Sequence, residues 1–131
     1  RLNMAHIATL VIEPEDMLPA VAQGAIGIER RSNDSVTAAL LEPLHHAGTG
    51  QRLAAERAFL AALDGSCETP IAGLATLECS ELLLRGEVLR PDGSEKLSGE
   101  RRGAIGRGAE MGYDLAQDLL SQAGPEFFSW R

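Results

Sequence analysis

Apolar and polar positions follow two different rhythms along this chain, and the change falls near residue 70. From Ser35 to His46, and again from Thr49 to Leu63, apolar residues recur at intervals of three and four. They are Val36, Leu40, Leu41 and Leu44 in the first stretch and Leu53, Phe59, Leu60 and Leu63 in the second. That spacing predicts two helices that bury those side chains. Asn33 or Asp34 supplies the first N-cap, Gly48 breaks the first helix, and Thr49 caps the second. Beyond Pro70 the pattern is that of strands: Ile71 to Leu77, Leu82 to Leu89, and the more polar Glu95 to Arg102, an expected exposed edge. Pro91-Asp92-Gly93-Ser94 reads as a hairpin turn, because Pro and Gly supply the backbone angles it needs. A last helix is expected over Ala109 to Ala123. Met111, Leu115, Ala116, Leu119, Leu120 and Ala123 form its inward stripe, Gly124-Pro125 is its stop, and Phe127, Phe128 and Trp130 anchor the tail.

The first thirty residues fit this scheme poorly. Ala5 to Ile12 reads as a strand broken by Glu13-Pro14-Glu15-Asp16, Pro19 as the start of a short helical turn, and Ala25 to Glu29 as a second strand. Two apolar strands without a nearby partner leave edges and faces unsatisfied. Residues 1–30 are therefore expected to be disorder-prone, paired with another chain, or swapped into a neighbour. Arg30 to Asp34 is a polar linker. The fold expected for residues 31–131 is α+β: a three-stranded antiparallel sheet with helices packed on one face, preceded by an N-terminal extended segment.

Candidate chemistry concentrates in one loop, Leu63-Asp64-Gly65-Ser66-Cys67-Glu68-Thr69-Pro70. Gly65 is a helix-stop signal and Pro70 keeps Thr69 out of the helical region. Cys67 thus falls on a loop between two regular elements, where a side chain can be offered to a ligand. A free cysteine can equally be a small core hydrophobe. Asp64 and Glu68 are acidic and no Lys, Arg or His adjoins the thiol, so nothing local lowers its pKa. A sulfur that bonds once and stays bonded suits this setting better than one that turns over. Gln23, set among small residues, can reach a ligand or satisfy backbone groups of its own turn.

Composition narrows the possibilities. At 131 residues and 44% hydrophobic content the chain can build one core, but with 4% aromatic residues that core rests on aliphatic side chains. The net charge of −7 argues against nucleic acid or an anionic membrane surface as a partner. No apolar run approaches the roughly 20 residues of a membrane span. Cys67 and Cys79 are separated by a predicted strand, too long for a disulfide, and a reducing cytosol is the simplest compartment. His45 and His46 match no zinc spacing and, as neighbours on a helix, point roughly 100° apart; a helix-end role, on the C-terminal carbonyls, fits them better. Arg101-Arg102 reads as a solvated face. A thiol redox enzyme lacks a Cys-x-x-Cys pair, and a noncatalytic α+β interaction module with a structural cysteine is the other class to weigh.

Several long motifs agree in order and spacing with one family. Ala55-Glu56-Arg57-Ala58-Phe59-Leu60, Leu63-Asp64-Gly65-Ser66-Cys67 and Thr69-Pro70-Ile71-Ala72-Gly73 resemble hydroxymethylbilane synthase, also called porphobilinogen deaminase. So do Met17 to Glu29, Pro91-Asp92-Gly93-Ser94, Glu100-Arg101-Arg102-Gly103 and Met111-Gly112-Tyr113-Asp114-Leu115-Ala116. One departure is Ala22, where a glycine is common.

The resemblance implies a transferase of heme and tetrapyrrole biosynthesis that condenses four porphobilinogen molecules into hydroxymethylbilane with loss of ammonia. It implies a dipyrromethane cofactor held by a thioether to Cys67, with Gln23 and Gly24 as cofactor contacts. It further implies that this chain is the C-terminal part of a longer cytoplasmic enzyme, inactive alone. Residues 1–30 would belong to the N-terminal domains, and residues 31–131 would form the cofactor-anchoring domain. The catalytic aspartate and most substrate-binding arginines would lie in the missing portion. Its partners would be porphobilinogen, the growing pyrrole chain and those domains, with a monomeric parent and a fragment able to self-associate through residues 1–30.

Overall fold

The computed structural model describes residues 3–65, 69–124 and 126–129. Cys67, Pro125 and Trp130, singled out above, lie outside them. Element order is α1 (Ser35–Leu41), α2 (Ala47–Ala62), β1 (Ile71–Glu78), β2 (Glu81–Leu89), β3 (Lys96–Ala104) and α3 (Gly108–Gln122). Short 3-10 turns stand at Ala5–Ile7, Glu42–Leu44 and Ile105–Arg107. The strands form one antiparallel sheet in the order β1-β2-β3, as the alternating pattern predicted.

Register explains which residues face the core. Val88 pairs with Ile71 and Leu97, Gly86 with Gly73 and Gly99, and Leu84 with Ala75 and Arg101. This face is covered by α2, mainly over β1, and by α3, mainly over β3. Glycine occupies the middle rank of all three strands because side chains from the helices need the space. A Cβ on Gly86 would lie 2.5 Å from the Phe59 ring, and one on Gly99 would lie 2.9 Å from Leu115. Phe59 and Leu115 are both fully buried there. The two helices meet at Gly112, where an added methyl would strike the Ala55 carbonyl and the Phe59 amide.

Behind α3, Phe127 is buried and meets Phe128 edge-on at 4.9 Å. Arg90 donates to the Glu126 carbonyl at 2.7 Å, so the tail is tied to the β2–β3 hairpin. The turn of that hairpin has Gly93 at φ 72 and the Asp92 carboxylate accepting from the Ser94 N–H and hydroxyl.

The first helix departs from expectation. Asp34 does cap it, accepting from Thr37 N at 2.9 Å, but α1 ends at Leu41 and buries no residue. Val36, Leu40 and Leu44 are exposed, Leu40 at 73%. Periodicity reports that a helix has an apolar face, not that the face is covered within this chain. Nor does Gly48 separate the helices: α2 starts at Ala47, and His46 is its N-cap, its Nδ1 accepting from Thr49 N at 3.2 Å. The histidine serves a helix start rather than a helix end.

No strand forms at Ala5–Ile12 or Ala25–Glu29. Leu10, Val11, Ile26 and Ile28 are exposed, and without a neighbour to hydrogen-bond, an apolar run gains nothing from extension. Between those runs the chain does pack. Leu18 is buried, Ala20 bridges Ala72 on the free edge of β1, and Gly73 N donates to the Pro19 carbonyl at 3.0 Å. The expected helical turn at Pro19 is thus an edge pairing, and the turn itself follows at Val21–Gly24.

Arg101 and Arg102 are not merely solvated. Arg101 reaches Asp118 on α3 at 2.8 Å, and Arg102 bridges Glu78 at 2.8 Å and Glu81 at 3.5 Å. Several carboxyls are held below their ordinary range by such contacts: Asp34 by the Thr37 N–H, Asp92 by Ser94, Glu110 by Arg107 and Asp118 by Arg101. A carboxyl with a depressed folded pKa contributes stability above its unfolded pKa and loses it as pH falls through the folded value. Melting temperature is therefore expected to drop as pH falls below about 4. A thermal series in which the acid-side loss instead centres on the histidine range would contradict this.

Candidate functional site

The candidate loop departs from α2 through a tightly built helix end. Gly65 N donates to the Leu60 carbonyl and Asp64 N to the Ala61 carbonyl, both within 3.1 Å. This is the double hydrogen bond of a Schellman termination. The left-handed residue is Asp64, at φ 51, not the expected Gly65. Gly65 is needed for room, since a Cβ there would lie 2.5 Å from Leu60 Cδ1 and 2.7 Å from Ile71 Cδ1. On the far side, Leu89 N donates to the Pro70 carbonyl and Ile71 N to that of Thr69. Both described ends of the loop are thereby fixed to regular structure. Gly65→Ala is expected to cost only about 1 kcal/mol, because the two Cδ1 atoms are ends of flexible side chains that can turn aside. It is read as a slightly lower denaturant midpoint, and a loss as large as that of a backbone clash would contradict it.

Gln23 and Gly24 stand on the turn that follows the edge pairing. Gln23 N donates to the Ala20 carbonyl and Ala25 N to that of Ala22, and the Gln23 side chain is exposed. Ala22 sits at φ 61 and Gly24 at φ 77. The left-handed conformation costs an alanine about 1–2 kcal/mol, which accounts physically for a preference for glycine at position 22. Gly24 lines a cavity of about 580 Å3 with Ile28, Arg30, His45, His46 and Thr49 among the other walls. Arg30 already donates to the Arg31 carbonyl at 2.9 Å, and His46 is engaged with Thr49. Gln23 is not in that wall.

One buried polar residue was missed in the sequence. Glu56 is 6% exposed, on the apolar side of α2 with Ala55 and Phe59. Its Oε2 accepts from Ala22 N and its Oε1 from Ala75 N, each at 2.8 Å. A signal was available, because Glu56 is in step with Phe59, Leu60 and Leu63, where a solvated glutamate has no place.

Cys79 is free and exposed at the β1–β2 turn, with φ 56 as the primed hairpin turns demand. Among the described residues no three His, Cys, Asp or Glu side chains gather as a metal site. No helix among them is long and apolar enough to cross a membrane.

Comparison with known proteins adds the family. Residues 51–121 match the model described as porphobilinogen deaminase, C-terminal domain. Residues 1–39 match the one described as porphobilinogen deaminase, dipyromethane cofactor binding domain. The chain belongs to the porphobilinogen deaminase family. A curated relative, the porphobilinogen deaminase of Paracoccus denitrificans (strain Pd 1222), is 56% identical over 130 residues. The alignment takes in 99% of this chain but 42% of that relative, so the chain spans less than half its length. Within the family match, Gln23 and Gly24 fall in the region described as cofactor binding, whereas Cys67 falls in the C-terminal region.

The described residues suit a tether better than a cradle for an acidic pyrrole cofactor. Around the loop stand Leu60, Ile71 and Asp64, apolar or acidic, while the loop ends themselves are rigid. A covalent bond to sulfur needs no cation beside it, whereas recognition of carboxylates is the work of arginines, and none is among these three residues.

Proposed function

We propose that this chain is the C-terminal part of a porphobilinogen deaminase, which condenses four porphobilinogen molecules into hydroxymethylbilane with release of ammonia. What carries the proposal is the match, in order, of two family regions along one chain, joined to 56% identity with a porphobilinogen deaminase. On this reading Cys67 holds dipyrromethane through a thioether, and Gln23 and Gly24 contact it. When bound, that group supplies the primer to which substrate units are added, so the reacting end stays in one place. The chain's own contribution is mechanical. The Schellman end of α2 fixes one end of the tethering loop, and the hydrogen bonds of Thr69 and Pro70, just before β1, fix the other.

The domain division follows as part of the proposal. Residues 1–30 belong with the N-terminal domains and residues 31–131 with the cofactor-anchoring domain. The exposed apolar side chains of Val11, Ile26 and Ile28 support it, and Val36 and Leu40 on α1 are exposed as well. The remainder of a longer protein would cover these residues; without it, the fragment would self-associate through them. The parent would act as a monomer in the cytosol, a compartment that suits the exposed free thiol of Cys79. The test is an assay of porphobilinogen consumption by the 131-residue chain, alone and co-expressed with the missing N-terminal portion. Activity is expected only from the combination. Full turnover by the chain alone, or none from the combination, would overturn the reading.

A further inference from the structure

The only charged side chain classed as buried among the described residues lies outside every role assigned so far. Along the free edge of β1, alternate backbone N–H groups point away from β2, and two neighbours among them are taken from outside the strand: Gly73 N by the Pro19 carbonyl and Ala75 N by Glu56 Oε1. Glu56 thus continues, with a side chain, the edge pairing that residues 19 and 20 begin. Its other oxygen takes Ala22 N. A carboxylate suits this place because it offers two acceptors and no donor. A carboxamide would turn an N–H against one of the two amides.

We propose that Glu56 is a positioning residue that acts through Ala22 on Gln23. Its carboxylate hooks the Val21–Gly24 turn onto the edge of the C-terminal sheet, so that the region matched to the cofactor-binding model and the region bearing the tethering loop move as one body. Val21, whose Cγ2 stands 3.1 Å from where a Gly73 Cβ would be, seats the same turn against the sheet. Ala72 and Gly73, which receive the turn, lie three and four residues beyond Thr69. The consequence for catalysis rests on the function proposed above; the mechanical link does not.

Two experiments separate these. Hydrogen exchange of the unaltered 131-residue chain should show Ala22 and Ala75 N–H protected to within about threefold of each other, because they share one acceptor and are released together. Ala22 exchanging at the rate of an unstructured amide while Ala75 stays protected would overturn the link, and this reading needs no variant to fold. In Glu56→Gln, exchange across residues 20–25 should rise at least tenfold while α3 is unchanged; equal exchange in both proteins would also overturn it.

In the full-length enzyme, Glu56→Gln and Gln23→Ala should each lower kcat, and the double variant should be no slower than the slower single one. Additive losses would show that Glu56 does not act through Gln23. An inactive full-length enzyme would count against the proposed function and leave the exchange result standing.

Discussion

Gly112→Ala is expected to be the most destabilising single methyl in the molecule, costing about 3 kcal/mol or more. Its Cβ would meet backbone on the facing helix, the Ala55 carbonyl and the Phe59 amide at 2.8 Å, with the Ala58 methyl at 3.1 Å. A flexible side chain can turn aside from an intruding methyl, but a helix backbone cannot. Relief requires α2 and α3 to separate, which uncovers Phe59 and Leu115 together. Against a total stability of roughly 5–15 kcal/mol, that loss is a large fraction. Denaturant unfolding monitored by circular dichroism checks it. A loss below about 1 kcal/mol would mean that the helices can part at no cost to the core. The comparison variant is Gly103→Ala, whose Cβ would meet only the Met111 sulfur, at 3.3 Å, and which should be far milder.

The second large effect is functional. Cys67→Ser in the full-length protein is expected to reduce hydroxymethylbilane formation by at least about a thousandfold. A serine oxygen does not replace the sulfur of a stable thioether, and no other described residue near the loop is a thiol. Cys79, the other cysteine, stands at the opposite end of β1, beyond eight residues of strand at about 3.3 Å each. Cys79→Ser should therefore leave the rate within about twofold. Substantial activity in Cys67→Ser, or loss of activity in Cys79→Ser, would contradict the assignment.

Legibility in the sequence followed the physics of each element. The three strands and α3 were readable because their burial is decided within the chain: period-two alternation and a 3.6-residue stripe each report a face, and that face has a partner here. The Asp34 cap and the Pro91–Ser94 turn were readable because their chemistry is local. The apolar runs at Ala5–Ile12 and Ala25–Glu29 and the stripe of α1 carry the same kind of signal, but none of the described residues covers them. A pattern cannot say whether its partner is present.

At the candidate site the two ends of the loop were foreseen, although for Gly65 the reason differs. The glycine makes room for Leu60 and Ile71, and the left-handed angle falls on Asp64. His46 was read for the wrong helix end because the boundary at Ala47 follows from the 3-10 turn before it, which periodicity does not show. Glu56 escaped because its two partners, Ala22 and Ala75, are brought to it only by the fold.

The central claim is that one sulfur permanently carries the primer on which the product grows, and the mass of the intact full-length protein tests it most directly. Wild type should exceed its sequence mass by a single dipyrromethane, and Cys67→Ser should match its sequence mass with nothing added. An active wild-type protein of unmodified mass, or the same increment surviving in Cys67→Ser, would contradict the account.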